Sequence, residues 1–363
     1  MRAGLFACFI LAALSAAVPA EAQKQVNVYN WSDYIALDQL AGFSKETGIK
    51  VNYTTYDSNE ILDAKLKTGH SGYDVVVPTA SPFLVRQLAA HLYQPLDKNK
   101  LNNLRNLDPR IMAQLARYDH GNAHAIPWMW GTIGVGYNEQ MVKALMPDVP
   151  VDSWRLVFDP AIASKITKCG ISVLDDPAAM MRAVLPYLGR DPNSQKSEDR
   201  TAAEAALLKI RPYIRNINSS EYIEALANGD LCVAVGYNGD VLQARDRSRE
   251  ANKGVVIKYF VPKEGSVLWI DMLAIPRDAP DRESAYAFVN YMMTPQVIAE
   301  VSNFKRFANA NAAAQSLVLV DVRNDSNIYP PPDLLRQLPV ELADTPEQSR
   351  AITRMWQKFK TGQ

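Results

Sequence analysis

Three short segments of this sequence set an aromatic ring beside an aspartate: Trp31-Ser32-Asp33-Tyr34, Tyr237-Asn238-Gly239-Asp240 and Trp269-Ile270-Asp271. A carboxylate in an aromatic, apolar setting is costly to ionise until a positive partner arrives. A ligand ammonium is such a partner, and each ring face adds attraction for that cation, on the order of 0.5–2 kcal/mol. Taken singly, each segment is better read as a turn or cap aspartate next to a core ring. Converging on one cleft, they would hold a molecule with two separated positive ends.

Other chemistries find little support. No G-x-x-x-x-G-K-[ST] phosphate loop is present, and the spacing of Gly131, Gly134 and Gly136 is not that of a dinucleotide fingerprint. A G-x-S-x-G elbow is missing, as is H-E-x-x-H; His120 and His124 flank Gly121-Asn122, a turn pair. No cofactor and no metal are expected. Lys+Arg and Asp+Glu are both 39, so there is no basic footprint for nucleic acid.

The elements that must position these residues alternate in the first part of the chain. Apolar patterning predicts strands at 25–29, 50–54 and 73–77 and helices at 35–46, 58–67 and 81–88, a parallel α/β order. A hairpin is predicted over 117–127, an extended segment over 131–138, and helices over 178–188 and 199–215. Further strands follow at 231–236, 255–261 and 268–275, the last two as a pair. Helices are expected at 284–293, after Thr294-Pro295, and in the charged tail from 345. Trp31 and Tyr237 sit at strand ends, where ligands gather in open α/β sheets. Trp269 and Asp271, two apart in a strand, share a face. Two lobes without a flexible linker fit either a doubly wound enzyme or a two-lobed binding protein whose chain crosses between lobes.

Residues 1–22 read as a secretory signal: Arg2, an apolar run, and the small-x-small close Ala20-Glu21-Ala22. Cys8 leaves with it. Cys169 and Cys232 remain, in an oxidising compartment most simply one disulfide, with two unrelated buried thiols as the alternative.

The chain resembles the periplasmic polyamine-binding proteins of bacterial ABC importers, most closely the putrescine-binding ones. The resemblance is carried by VYNWSDYI (28–35), YDSNEILDAKL (56–66), YDVVVPTAS (73–81), IPWMWGTIGVGYN (126–138), YIEALANGDLCVAVGYNGDV (222–241), Pro262-Lys263-Glu264-Gly265 and FANANAAA (307–314). It implies a two-lobed type II periplasmic binding fold with an inter-lobe ligand cleft and hinge closure. The lobes would be 23–130 plus 251–305, and 131–250 plus 306–363. It implies a monomer that serves an inner-membrane ABC permease, and a Cys169–Cys232 bridge. The implied ligand set is Trp31, Ser32, Asp33, Tyr34 and Ser81 from one lobe, Tyr237 and Asp240 from the other, Trp269 and Asp271 on the floor, and Phe307. Asp240 and Asp271 would hold one amine together.

The chain departs from the family at three points. Tyr237 stands where Trp is common, Phe307 where Tyr is, and Pro177-Ala178-Ala179 replaces a Pro-Glu-Glu segment. The last loses a carboxylate, and Asp175 or Asp176 is the nearby candidate to replace it. Putrescine is the expected ligand; agmatine, spermidine or another small organic cation are the alternatives, and an exported hydrolase is the rival from another class.

Overall fold

The structure is a computed structural model that describes residues 23–335 and 337–362; the signal segment, with Cys8, lies outside the described residues. The chain opens as βαβαβ. Strand β1 (Gln25–Trp31) pairs in parallel with β2 (Lys50–Tyr56) and with β3 (Val75–Val76). Between them run helices α1 (Leu37–Thr47) and α2 (Asn59–Leu66). Val26, Val28, Val75 and Val76 are fully buried, as expected of a sheet covered on both faces. Ser58 caps α2 by accepting from the Ile61 amide, satisfying a donor that the first helical turn leaves free.

A single 14-residue strand, β4 (Ala125–Asn138), joins the two halves of the molecule, and every residue in it is buried. Its first half, to Thr132, pairs with β9 (Leu268–Ala274), which also touches β3. Its second half pairs with β7 (Val233–Tyr237) on one side and β8 (Ile257–Phe260) on the other. Beyond β7 lie β5 (Ile171–Val173) and β6 (Asn216–Ile217), both parallel. The short β10 (Ala308–Asn309) lies against the first half of β4. The result is a two-lobed α/β protein whose strand order is β2-β1-β3-β9-β4-β7-β5-β6.

Two expectations are corrected. The 117–127 segment is not a hairpin: a short 3-10 turn, His120–Asn122, leads directly into β4. Strands β8 and β9 do not pair with each other; each pairs with a different half of β4.

Helix α3 (Pro177–Tyr187) follows β5, and α4 (Ser197–Ile210) packs on it. Helix α5 (Tyr222–Asn228) precedes β7, and α6 (Asn238–Glu250) follows it without a loop. Helices α7 (Arg282–Met292) and α8 (Pro295–Lys305) return to the first lobe, where α7 packs on β1, β3 and α1. The tail helix α9 (Pro346–Thr361) has the reciprocal capping box of Thr345 and Gln348. It buries Ile352, Met355, Trp356 and Phe359 at helical spacing and packs on α3 and α4. Cys169 and Cys232 are disulfide-bonded, tying the start of β5 to the start of β7.

Candidate ligand-binding cleft

A cleft between the two halves encloses about 1060 Å³ with the solvent at its mouth, and Ile133 at the midpoint of β4 lies in its wall. All ten residues singled out in the sequence line it: Trp31, Ser32, Asp33, Tyr34, Ser81, Tyr237, Asp240, Trp269, Asp271 and Phe307.

Each arrives by a simple device. Trp31 ends β1, and Ser32–Tyr34 form the turn into α1, where Asp33 adopts a left-handed backbone at φ 53°. The Trp31 indole N–H donates to the Val77 carbonyl at 3.0 Å, and its ring leans on Tyr56. Tyr237 ends β7, and Asp240 falls in the first turn of α6, where a carboxylate also meets the positive end of the helix dipole. Trp269 and Asp271 alternate along β9 and both face the cleft, as their spacing predicts.

The rings build one apolar wall. Phe307 meets Trp269 edge-on at 4.7 Å and Tyr34 at 5.8 Å, and Tyr237 meets Trp269 at 5.9 Å. Two polar atoms in this wall are buried with no hydrogen-bond partner: Ser81 Oγ and Trp269 Nε1. A buried donor left unpaired costs about 1–3 kcal/mol, so a ligand acceptor that reached either atom would be held there.

The floor carries two buried carboxylates. Asp271 accepts from the Tyr34 hydroxyl at 2.7 Å and the Thr79 hydroxyl at 2.8 Å. Burial pushes its pKa up to about 7, against those hydrogen bonds and the nearby Lys305 charge, which pull it down. Asp240 accepts from the Tyr222 hydroxyl at 2.8 Å and from the Lys305 ammonium at 2.8 Å. Asp240 therefore already has a cation, which the sequence reading did not foresee.

The mouth carries a different set. Asp33 is largely exposed and sits 3.5 Å from Arg247, which reaches over from α6. Glu60, in the first turn of α2, is pushed up to about 7, first by the protein packed around it and then by Asp176. The outer edge of Glu60 stays in solvent, which screens part of that effect. Asp176 caps α3 through the Ala179 amide, accepts from the Tyr237 hydroxyl at 3.2 Å, and is itself shifted up by burial. Asp175 also lines the cleft, but its carboxylate is already engaged: it accepts from the Trp356 indole at 2.6 Å and pairs with Lys360. Of the two aspartates near the missing Pro-Glu-Glu carboxylate, Asp176 is thus, among the described residues, the one without a protein cation on it. Glu341 also reaches the cleft, paired with buried Arg182 at 3.2 Å and pushed up to about 8, chiefly by burial.

Sequence reasoning missed Thr79, Tyr222, Glu60, Glu341 and Lys305. Thr79 and Tyr222 act through aspartates already named. Glu60 reads in sequence as an ordinary first-turn acid, and Lys305 as an ordinary helix-end cation.

The profile of the family described as bacterial extracellular solute-binding protein matches residues 38–328. The chain is 50% identical over 360 residues to the putrescine-binding periplasmic protein SpuD of Pseudomonas aeruginosa, covering 99% of this chain and 98% of that protein. It is 48% identical over 354 residues to the putrescine-binding periplasmic protein PotF of Escherichia coli, covering 97% and 95%. Among solved structures it is similar to a putative spermidine/putrescine ABC transporter from Listeria monocytogenes. The TM-score there is 0.83 at 31% identity, over 94% of this chain and 100% of that one. With a family match across most of its length, relatives this similar end to end, and a ligand-sized cleft between two α/β lobes, the chain belongs to the bacterial extracellular solute-binding proteins.

Proposed function

We propose that this protein is a periplasmic solute-binding protein that captures a polyamine, putrescine first, and delivers it to an inner-membrane ABC permease. The observation that carries the reading is Asp271: a carboxylate buried at the floor of an aromatic cleft and held near neutrality until a cation reaches it. An ammonium there would restore the ionised form and gain a charge-assisted hydrogen bond in a low-dielectric site. Relatives that share about half of its residues are named for putrescine binding, which supports the same ligand. In this reading Tyr34, Trp269, Tyr237 and Phe307 pack the aliphatic chain, Ser81 and Ser32 add polar contacts, and Asp33 meets the ligand near the mouth. The protein acts as a monomer and without catalysis. The division 23–130 plus 251–305 against 131–250 plus 306–363 is proposed with two exchanges: β8 goes to the second lobe and β10 to the first, because β8 pairs with the second half of β4 and β10 with the first.

A longer polyamine is the second reading. Glu60 and Asp176 add two carboxylates beyond Asp33 at the mouth, enough for a further ammonium. The test is to incubate the refolded, ligand-free protein with an equimolar mixture of putrescine, cadaverine, agmatine, spermidine and spermine, then remove free ligand and identify by mass spectrometry what is released on denaturation. Recovery of an unchanged polyamine supports the reading. Recovery of none, or of a hydrolysis product, overturns it.

A further inference from the structure

Lys305 is the last residue of α8, and Arg306 ends the helix in a left-handed conformation at φ 61°, turning the chain toward β10. The lysine does not run out into solvent. It is 4% exposed and lines the cleft, with its ammonium 5.3 Å from the Phe307 ring centre and 5.8 Å from that of Tyr34. Its Nζ lies 2.8 Å from Asp240 Oδ1, while Tyr222 occupies Asp240 Oδ2. Close approach of these parts depends on Gly239. A Cβ there would fall 2.4 Å from the Phe307 ring and 2.7 Å from the Lys305 carbonyl oxygen. The Lys305 charge is also felt at Asp271, where it favours the ionised form.

A floor with two carboxylates and one fixed ammonium has a net charge of one negative, not two. An incoming ligand ammonium finds Asp240 taken and a like charge close by. On this basis, and resting on the polyamine reading above, we propose that Lys305 is a specificity-determining residue. It is a tethered cation that stands in the place of one ligand charge, so that the floor accepts a single ammonium, held by Asp271. Any additional positive charge on the ligand must be met at the mouth, by Glu60, Asp176 and Asp33. The cleft thereby selects for cations whose second charge reaches from one set to the other, and it binds putrescine less tightly than the same floor without Lys305 would.

A lysine at a helix C-terminus also stabilises that terminus, and a buried pair can be a plain structural strut. The two roles differ in the sign of their effect on binding. Putrescine and spermidine are titrated calorimetrically at about pH 8, where Asp271 is ionised, into wild type, Lys305→Met, Lys305→Gln, Asp240→Asn and the Asp240→Asn/Lys305→Met double variant. If affinity follows the net charge of the floor, Lys305→Met binds putrescine at least tenfold more tightly than wild type. Lys305→Gln, which keeps a hydrogen bond to Asp240 and serves if the Met variant folds poorly, moves the same way. Asp240→Asn binds more weakly, and adding Lys305→Met to it recovers most of the loss. Unchanged or weaker binding by both Lys305 variants, or a double variant no better than Asp240→Asn, overturns the inference while leaving the polyamine reading in place. If neither wild type nor the Lys305 variants bind any polyamine, both fall together.

Discussion

The floor and the mouth of the cleft both carry carboxylates, but the protein treats them differently. At the floor, each oxygen of Asp271 and Asp240 has a partner fixed by the fold: Tyr34, Thr79, Tyr222 or Lys305. These groups are rigid, dry and sensitive to charge. At the mouth, Asp33 and Glu60 are open to solvent, and Glu60 and Asp176 repel each other. Affinity gained at the floor is expected to be large and specific, because preorganised partners and low dielectric strengthen each contact. Affinity gained at the mouth is expected to be smaller and screened by salt, and to depend on ligand length.

Several substitutions and one titration sharpen or break this contrast. The largest effect belongs to Asp271→Asn, which keeps the shape of the floor and removes its one available charge. Loss of a buried charge-assisted partner predicts a weakening of putrescine binding of about 100-fold. A loss no larger than that from a mouth substitution would erase the distinction. Next comes pH. A cationic ligand needs Asp271 ionised, and in the free protein burial holds that group up at about 7 despite Tyr34, Thr79 and Lys305. Binding below that value must expel a proton, so affinity falls as pH drops through 7, by about tenfold per unit. Calorimetry in buffers of different ionisation enthalpy reads the proton directly, and Asp271→Asn should flatten the profile. Asp176→Asn comes third, with a loss of about tenfold for spermidine and about threefold for putrescine, since only the longer ligand brings charge to that end. Arg247→Ala removes the exposed link to Asp33 across the mouth and is expected to change affinity by threefold or less.

Much of the site was legible in the sequence because ring and carboxylate lie close together along the chain. Trp31 to Tyr34, Tyr237 to Asp240 and Trp269 to Asp271 are local patterns, and strand alternation alone puts Trp269 and Asp271 on one side. The strand ends were readable for the same reason. Strand β4 was legible only in its second half, as the extended segment 131–138; its start was read into a hairpin, and its length was hidden because Pro127, Gly131, Gly134 and Gly136 look like breakers that only the folded neighbours explain. At Gly131 a Cβ would fall 2.2 Å from the Asn238 side-chain oxygen and 2.6 Å from the Trp269 ring, so the glycine is where two elements close on the strand. Asp176 was ambiguous because an aspartate before a proline is first of all a helix cap, a role it does fill. Lys305 was invisible because its partner lies 65 residues away and a helix-end lysine ordinarily points to water. Pairings between distant segments, not residue types, are what the linear pattern withholds.

The most direct test of the account is calorimetric titration of the protein, unfolded and refolded to remove carried-over ligand, with putrescine and, in parallel, the uncharged 1,4-butanediol at about pH 8. The account predicts one putrescine per chain at micromolar affinity or tighter, and no measurable binding of the diol. Equal binding of the two, or silence with putrescine and every longer polyamine, would contradict the claim that a buried carboxylate at the floor recognises a ligand ammonium.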